Sequence, residues 1–519
     1  MGQSNGTKVP AAGRIYHSVH RVIVRTFLVV LTFSLVVVRP SLAQIRNGLE
    51  ALRLDANGWP TVPSSVDSRT IYVSSSTGKD SNLGRSTEMP VATIAAGLAR
   101  LRNGYPDHLL LKAGDTFVNQ SFGYLKVSGR SASAPLVIGS YGTGAAPIVE
   151  TSPNINYGIG IGSLPGKGGN FLVVEGINFY SYTRDPNNAA YVGPKTTDLG
   201  TNFLNPNAWV MLVGDKFSYY TTGMIFNSGS GNATSSNVTL YRNVVTDSWS
   251  ATSHSQGLYV SGVGNLVIEQ NVFDHNGWNE SIAGAEATIF NRNAYLQSNN
   301  GPVTFVDNIS ANSSSEGIQA RSGGTISGNL FLANSAGIYI GENPGTSSAP
   351  VSTLTSTVAN GNVILGSTSI RSSSGLLPRG QGINILNASG PGVQVTGNII
   401  ANPTGPPVNQ TGISLNSNVT GISATNNIIY GVAHPIADSG TANTMSPNAI
   451  NLTGYVNPSV SVGSYNASLG GSDSLPAFLT EARKQSKGNW RTQYTAKAVI
   501  NYIQAGFDVG LGSTSIHPH

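Results

Sequence analysis

The residues best equipped for chemistry fall into one short, repeated frame. Tyr259 sits in "GLYVS", Arg292, Tyr295 and Gln297 in "RNAYLQ", Glu316, Gln319 and Arg321 in "EGIQAR", and Tyr339 and Glu342 in "GIYIGE". In each frame the central letter lies between two apolar ones: Leu258/Val260, Ala294/Leu296, Ile318/Ala320 and Ile338/Ile340. An extended chain sends alternate side chains to opposite sides. Tyr259, Tyr295, Gln319 and Tyr339 therefore face one way while their neighbours face an interior. Phenol rings suit the C–H faces of sugars, and forked polar groups suit hydroxyls and carboxylates. An arginine beside a phenol also suits removal of a proton next to a carboxylate. The cation neutralises the carboxylate, and the phenol gives or takes the proton.

The individual residues divide by role. Arg321 has no acid in its own column and is the candidate for gripping a substrate carboxylate. Arg292 and Glu316 hold the same offset in successive frames and are expected to pair, in a structural or a catalytic capacity. Tyr295, Tyr339 and His254 are candidates for proton transfer, which makes Arg321, Arg292, Tyr295, Tyr339, Glu316 and His254 the catalytic set. Tyr259, Gln297, Gln319, His275 and Glu342 are the substrate-binding set. Plainer readings stay open: tyrosine and glutamine also suit any strand surface, and a histidine in a polar loop is often only solvated. No cofactor is identified. Asp247, Asp274, Glu280, Glu286 and Glu342 have no calcium-loop spacing, so Ca2+ has no ligand motif and metal binding stays open. Glu316 and Glu342 lie six residues apart in the frame, roughly 20 Å along a strand, which is too far for the paired carboxylates of a glycoside hydrolase.

The frame recurs as "GLYV" at 257, "NAYL" at 293, "GIQA" at 317, "GIYI" at 337, "GINI" at 382 and "GISL" at 412. Between its copies runs a second phrase, Asn followed by two mostly apolar residues, at Asn243, Asn271, Asn308, Asn329, Asn362, Asn398 and Asn427. Each unit is too short to form a sheet domain. Stacking copies lets every strand pair with its equivalent in the next coil and joins the apolar positions into one column. The recurring Asn fits a side-chain ladder at a turn. The outward letters then form two parallel columns, Tyr259, Tyr295, Gln319, Tyr339, Asn384, Ser414 and Ser261, Gln297, Arg321, Gly341, Leu386, Asn416. Insertions over 274–293 and 341–381 are expected to wall this face into a groove.

The repeat resembles the right-handed parallel β-helix of the pectate-lyase-like superfamily over residues 71–460. The resemblance implies an all-β solenoid. "TIAAGLARL" (93–101) reads as an N-terminal capping helix, and 461–519, with helices over 474–486 and 495–507, as a C-terminal helical cap or a separate module. It also implies an exported polysaccharide lyase acting on uronate-containing glycans by β-elimination. The "WIDH" and "RxPxxR" signatures of pectate lyases and the "NTD…DD…GHG…RIK" set of polygalacturonases are missing. A glycoside hydrolase, a C5-epimerase and a non-catalytic polysaccharide-binding or surface structural protein remain as alternatives.

Composition bounds the rest. Gly, Asn, Ser and Thr disfavour helix interiors. Of the 29 basic residues, Lys8, Arg14, Arg21, Arg25 and Arg39 lie in 1–43 with no acid, so the remaining 24 match 24 acids. That balance offers no basic stripe for nucleic acid. The basic leader, the apolar run "FLVVLTFSLVVV" (27–38) and small Ser41 and Ala43 read as an export signal over 1–43, cleaved after Ala43, with 44–70 as a linker. The product is expected to be secreted or periplasmic and monomeric, with an acidic polysaccharide as partner. Membrane contact is expected only if the signal stays uncleaved as an anchor. The chain has no cysteine, which excludes disulfides and thiol chemistry.

Overall fold

The computed structural model describes residues 52–507 except 152–154, 163–167, 194–197, 205–208, 229–234, 343–352, 373–374, 378, 403–409, 452–456 and 458. Each turn of the chain gives one strand to each of three parallel sheets. Sheet 1 has twelve strands, from Thr70–Val73 to Ser423–Thr425. Sheet 2 has twelve, from Thr116–Val118 to Ala449–Ile450, and sheet 3 has eleven, from Gly123–Tyr124 to His434–Asp438. Strands pair in parallel with their copies one coil before and after, as Glu316–Ala320 does with Arg292–Leu296 and Ala336–Ile340. This is the parallel β-helix expected from the repeat. Its interior is one continuous apolar column that includes Leu258, Val260, Ile318, Ile338, Ile383 and Ile413.

Two devices set the coil geometry. Between sheets 1 and 2 the turn places one residue at positive φ, Gly328, Gly361 and Gly397 among them, and then a fully buried Asn. Asn329 is typical. Its Nδ2 donates to Asn362 Oδ1 at 2.9 Å and to Phe305 O at 2.8 Å, and its backbone N–H donates to Asn362 Oδ1 at 3.0 Å. The same pattern links Asn243, Asn271, Asn308, Asn362, Asn398 and Asn427, so buried amides are satisfied rung by rung.

The second device explains the glycine that opens the frame. A Cβ on Gly257 would lie 2.6 Å from Asn293 O, on Gly317 2.8 Å from Gly337 O, on Gly337 2.9 Å from Gly382 O, and on Gly382 2.4 Å from Gly412 O. Each glycine thus lets the next coil's carbonyl close in. Asn293, the exception, turns its side chain inward and donates to Ser310 Oγ and Ala311 O.

The ends differ from expectation in placement. A short helix, Ile94–Leu98, is capped by Thr93 and buries Ile94 on the first coils. The linker expected over 44–70 is corrected from Leu52 onward. There a hairpin pairs Arg53–Leu54 with Pro60–Thr61 and buries Leu52 and Trp59 against the outward side of sheet 1. Of the C-terminal helices, Val462–Ser468 is capped by Ser461 and Leu475–Ala482 by Ser474, and Ala496–Phe507 buries one apolar face. They lie along the flank of the column, on the outward residues Val244, Val272, Ile309, Leu330, Val363 and Ile399 of sheet 2. The reason is chemical: those outward residues are apolar and need cover. The proposed export signal and its cleavage point lie outside the described residues, as does part of the 341–381 wall.

Candidate functional site on the outward face of sheet 3

Register brings the first outward column together. Tyr259 is level with Tyr295, Tyr295 with Gln319, Gln319 with Tyr339, Tyr339 with Asn384, and Asn384 with Ser414. The inward neighbours are fully buried and lock this register, because a slip by one residue would turn the apolar set to water. The Tyr259 and Tyr295 rings meet edge to face at 5.5 Å.

The second column joins the first through Gln297. Its Nε2 donates to Tyr295 Oη at 3.2 Å and Tyr259 Oη at 3.4 Å, and its Oε1 accepts from Arg321 Nη1 at 3.1 Å. Arg321 and Arg292 both lie over the Tyr295 ring, with guanidinium carbons 4.8 and 4.5 Å from its centroid. At Gly341 the column carries no side chain, and a Cβ there would lie 2.0 Å from Leu386 O.

Three arginines and two buried glutamates surround these rings. Arg292 Nε lies 2.9 Å from Glu316 Oε2, an ionic contact without hydrogen-bond alignment. Glu316 also pairs with Arg379, whose Nη1 donates to Ser315 Oγ at 2.8 Å and whose guanidinium carbon lies 5.5 Å from the Tyr339 ring. Arg321 Nη1 lies 2.7 Å from Glu342 Oε1. Arg321 has no acid in its own column, as expected, but Glu342, one residue beyond that column, reaches it from one coil on. The 20 Å estimate along the strand treated the backbone alone, whereas both glutamate side chains bend to arginines that flank one ring.

Electrostatics assign protonation states. Burial would raise the Glu316 carboxyl, but Arg292 and Arg379 outweigh it and hold the group below its ordinary value. Burial pushes the Tyr295 phenol up despite Arg321 and Arg292, and the Tyr339 phenol up despite Arg379. Both rings are thus neutral at physiological pH. Several buried polar atoms have no hydrogen-bond partner among the described residues: Gln319 Oε1, Asn384 Oδ1, Arg321 Nε and both carboxylate oxygens of Glu342.

The two histidines lie elsewhere. His254 is exposed and stacks on Phe290 at 5.5 Å, with the rings 6° from parallel. Phe290 O accepts from Arg292 Nη1 at 2.7 Å, so this pair stands at the start of the Arg292 strand. The placement of His275 in the binding set is corrected. It sits at the corner after a sheet 2 strand, bonded to Asp247 and Glu280 at 2.9 Å each and packed on Trp278. Burial would lower its pKa, but Asp247 and Glu280 raise it to about 9. Asp247 and Asp274 hold Arg483 of the C-terminal segment. Among the described residues no group of three or more His, Asp or Glu side chains is placed to hold a metal ion.

Sequence reasoning missed Arg379, which stands three residues before the frame at Gly382, upstream of the offsets compared. It also missed that the frame begins earlier, as "GIGI" at 158, "GTNF" at 200 and "GMIF" at 223.

No family model matches the chain, and a search of curated proteins finds no match. Among solved structures, a GH136 lacto-N-biosidase from Eubacterium ramulus matches with a TM-score of 0.40 and 13% identity, over 74% of this chain and 68% of that one. Pectate lyase Pel9A matches with a TM-score of 0.39 and 13% identity, over 76% and 84%. An alginate lyase from Paenibacillus sp. str. FPU-7 matches with a TM-score of 0.33 and 15% identity, over 72% and 99%. In architecture the chain is a parallel β-helix of three long parallel sheets.

Proposed function

We propose that this chain is an exported polysaccharide lyase that cleaves uronate-containing glycans on the outward face of sheet 3. One observation carries the reading. Among the described residues three arginines meet two glutamates around Tyr295 and Tyr339, and buried atoms of Gln319, Asn384, Arg321 and Glu342 have no hydrogen-bond partner. Buried polar groups left without a hydrogen-bond partner are ligand groups in waiting, and the surplus cation matches a carboxylate.

In this mechanism Arg321 neutralises the uronate carboxylate and Glu342 accepts from a sugar hydroxyl. The minor phenolate fraction of Tyr295, which Arg292 and Arg321 favour against burial, takes the proton from C5. Tyr339 gives its proton to the leaving oxygen. The C5–H and C4–O bonds break, a C4–C5 double bond forms, and no oxidant is needed. Glu316 positions Arg292 and Arg379. Export rests on the apolar run 27–38 and on Ser41 and Ala43.

A non-catalytic polysaccharide-binding role is favoured by a different observation: each of the three arginines already contacts a protein carboxylate, and both phenols titrate upward. A hydrolase fits less well, because its general acid must keep a proton whereas Glu316 is held ionised. A C5-epimerase would share the first step and return the proton to the other face. Incubation with polygalacturonate, alginate and other uronate polymers tests the proposal. Growth of the ultraviolet band of the unsaturated product, lost in Arg321→Ala, is the expected result. Reducing ends without that band would support hydrolysis, a changed C5 configuration without cleavage would support epimerisation, and binding without product would support the second role.

A further inference from the structure

Well away from the arginines, the same face carries an aromatic surface that the proposed chemistry does not use. Tyr124 is level with Gly160, Gly160 with Asn202, and Ile225 with Tyr259. Asn202 is level with Ile225 on the next rung, because the flanking pairs Leu199/Thr222 and Phe203/Phe226 are in register. The first outward column therefore runs Tyr124, Gly160, Asn202, Ile225, Tyr259, Tyr295. Tyr124 is five rungs from Tyr295, about 24 Å at the usual spacing of neighbouring strands.

Tyr124 is held as a fixed plate. A Cβ at Gly160 would lie 2.7 Å from Tyr124 Cδ1 and 2.9 Å from Cε1, so the ring lies across the glycine and only glycine admits it. Its hydroxyl accepts from Asn202 Nδ2 at 2.9 Å, which pins the far end of the ring one rung further along. Tyr157 packs beside it, with centroids 4.5 Å apart and planes 36° apart. With 39% of Tyr124 exposed and Tyr157 half-buried, part of this ring pair stays open to solvent.

We infer that Tyr124, with Tyr157 and Asn202, is a remote sugar-stacking subsite that takes a pyranose ring of the same acidic polysaccharide whose uronate is held at Arg321. The inference rests on the proposed function for the identity of its ligand and on the ladder register for its position. A tyrosine with a fixed ring loses little conformational freedom on binding and gives large amphipathic contact. Its apolar surface fits the C–H face of a sugar. Asn202 is already committed to the hydroxyl, so the plate selects ring shape more than charge. The consequence is preference for long chains: a polymer reaches both places at once and gains from the tether between them, while a trisaccharide bound at the arginines does not reach Tyr124.

Calorimetric titration of the full chain tests this with polygalacturonate and alginate, each as polymer and as trisaccharide. In Tyr124→Ala, polymer affinity is expected to fall about three- to tenfold, the scale of one well-placed aromatic contact. Trisaccharide affinity is expected to stay unchanged. Asn202→Ala, which frees the ring, is expected to give a smaller loss of the same pattern. Unchanged polymer affinity in Tyr124→Ala, with Arg321→Ala still weakening both ligands, overturns the subsite and leaves the proposed function standing. Equal losses for polymer and trisaccharide in Tyr124→Ala also overturn it. Failure of the wild type to bind any of these ligands overturns both.

Discussion

Arg321 and Glu342 face each other at 2.7 Å across neighbouring coils, and Glu342 is only 2% exposed. Removing one partner of such a pair leaves a charge stranded in the protein. Arg321→Ala is expected to lower unfolding free energy by about 3 kcal/mol, near the lower end for broken buried pairs because Arg321 is partly wet. Arg321→Ala combined with Glu342→Gln should recover most of that loss. Urea unfolding of the two single variants and the double variant checks both statements. Activity should stay absent in the double variant, which separates the catalytic part of Arg321 from its structural part.

Tyr295 and Tyr339 are expected to behave differently when their hydroxyls are removed. Tyr295→Phe deletes the proposed base and should lower kcat by at least about 100-fold, the scale of general base catalysis. Tyr339→Phe should be relieved on substrates with a good leaving group, because its proton is then less needed. Equal effects of both variants on every substrate would reject the division of roles.

His275 makes stability depend on pH. Its folded pKa, about 9, lies above the ordinary 6.5 because Asp247 and Glu280 outweigh burial. The stabilisation is therefore complete below about pH 6.5 and is lost as pH rises through about 9. Thermal unfolding across that window should show a falling Tm, and His275→Asn should flatten the fall while reducing Tm at pH 6. The histidine lies at a sheet 2 corner, off the outward face of sheet 3, so uronate binding at pH 6 should stay unchanged.

The glycine column sets a steric limit. A Cβ at Gly382 would lie 2.4 Å from Gly412 O and 2.5 Å from Ile400 Cγ2. Both are closer than side-chain contacts tolerate, and one is backbone. Gly382→Ala is expected to destabilise by about 2–4 kcal/mol, as overpacking with backbone movement does. Chemical denaturation measures it. Ala at half-buried Gly390, where nothing lies within 4 Å of the added Cβ, is the comparison for added volume; the φ of +90° there makes any loss purely conformational.

Sequence made the coil and the lettered face legible because both are local patterns repeated with one period. Leu258/Val260 and their copies alternate with Tyr259 and its copies, and that alternation fixes inside and outside without long-range information. The Asn ladder was legible for the same reason. What stayed hidden depends on contacts between distant segments. Glu342 reaches back to Arg321 through side-chain bending, which offsets along a strand do not record. Arg379 enters from an insertion and has no repeated position. The helices of 461–507 were visible from Ser474, Pro476 and their apolar spacing, but not their berth. The clue was present in Asn243-Val244-Val245 and Asn398-Ile399-Ile400, where two successive apolar residues mean that both sides of sheet 2 are covered.

That berth governs the order in which the molecule can be finished. Residues 462–507 follow the coils in the chain yet shield Val244, Val272, Ile309 and Leu330, and Trp490 meets Trp59 of the opening hairpin at 5.7 Å. A growing chain can wind every coil and still show a greasy seam down one flank until its closing helices arrive. Truncation before residue 462 would leave that seam bare and sticky, however well the sugar-facing wall had formed.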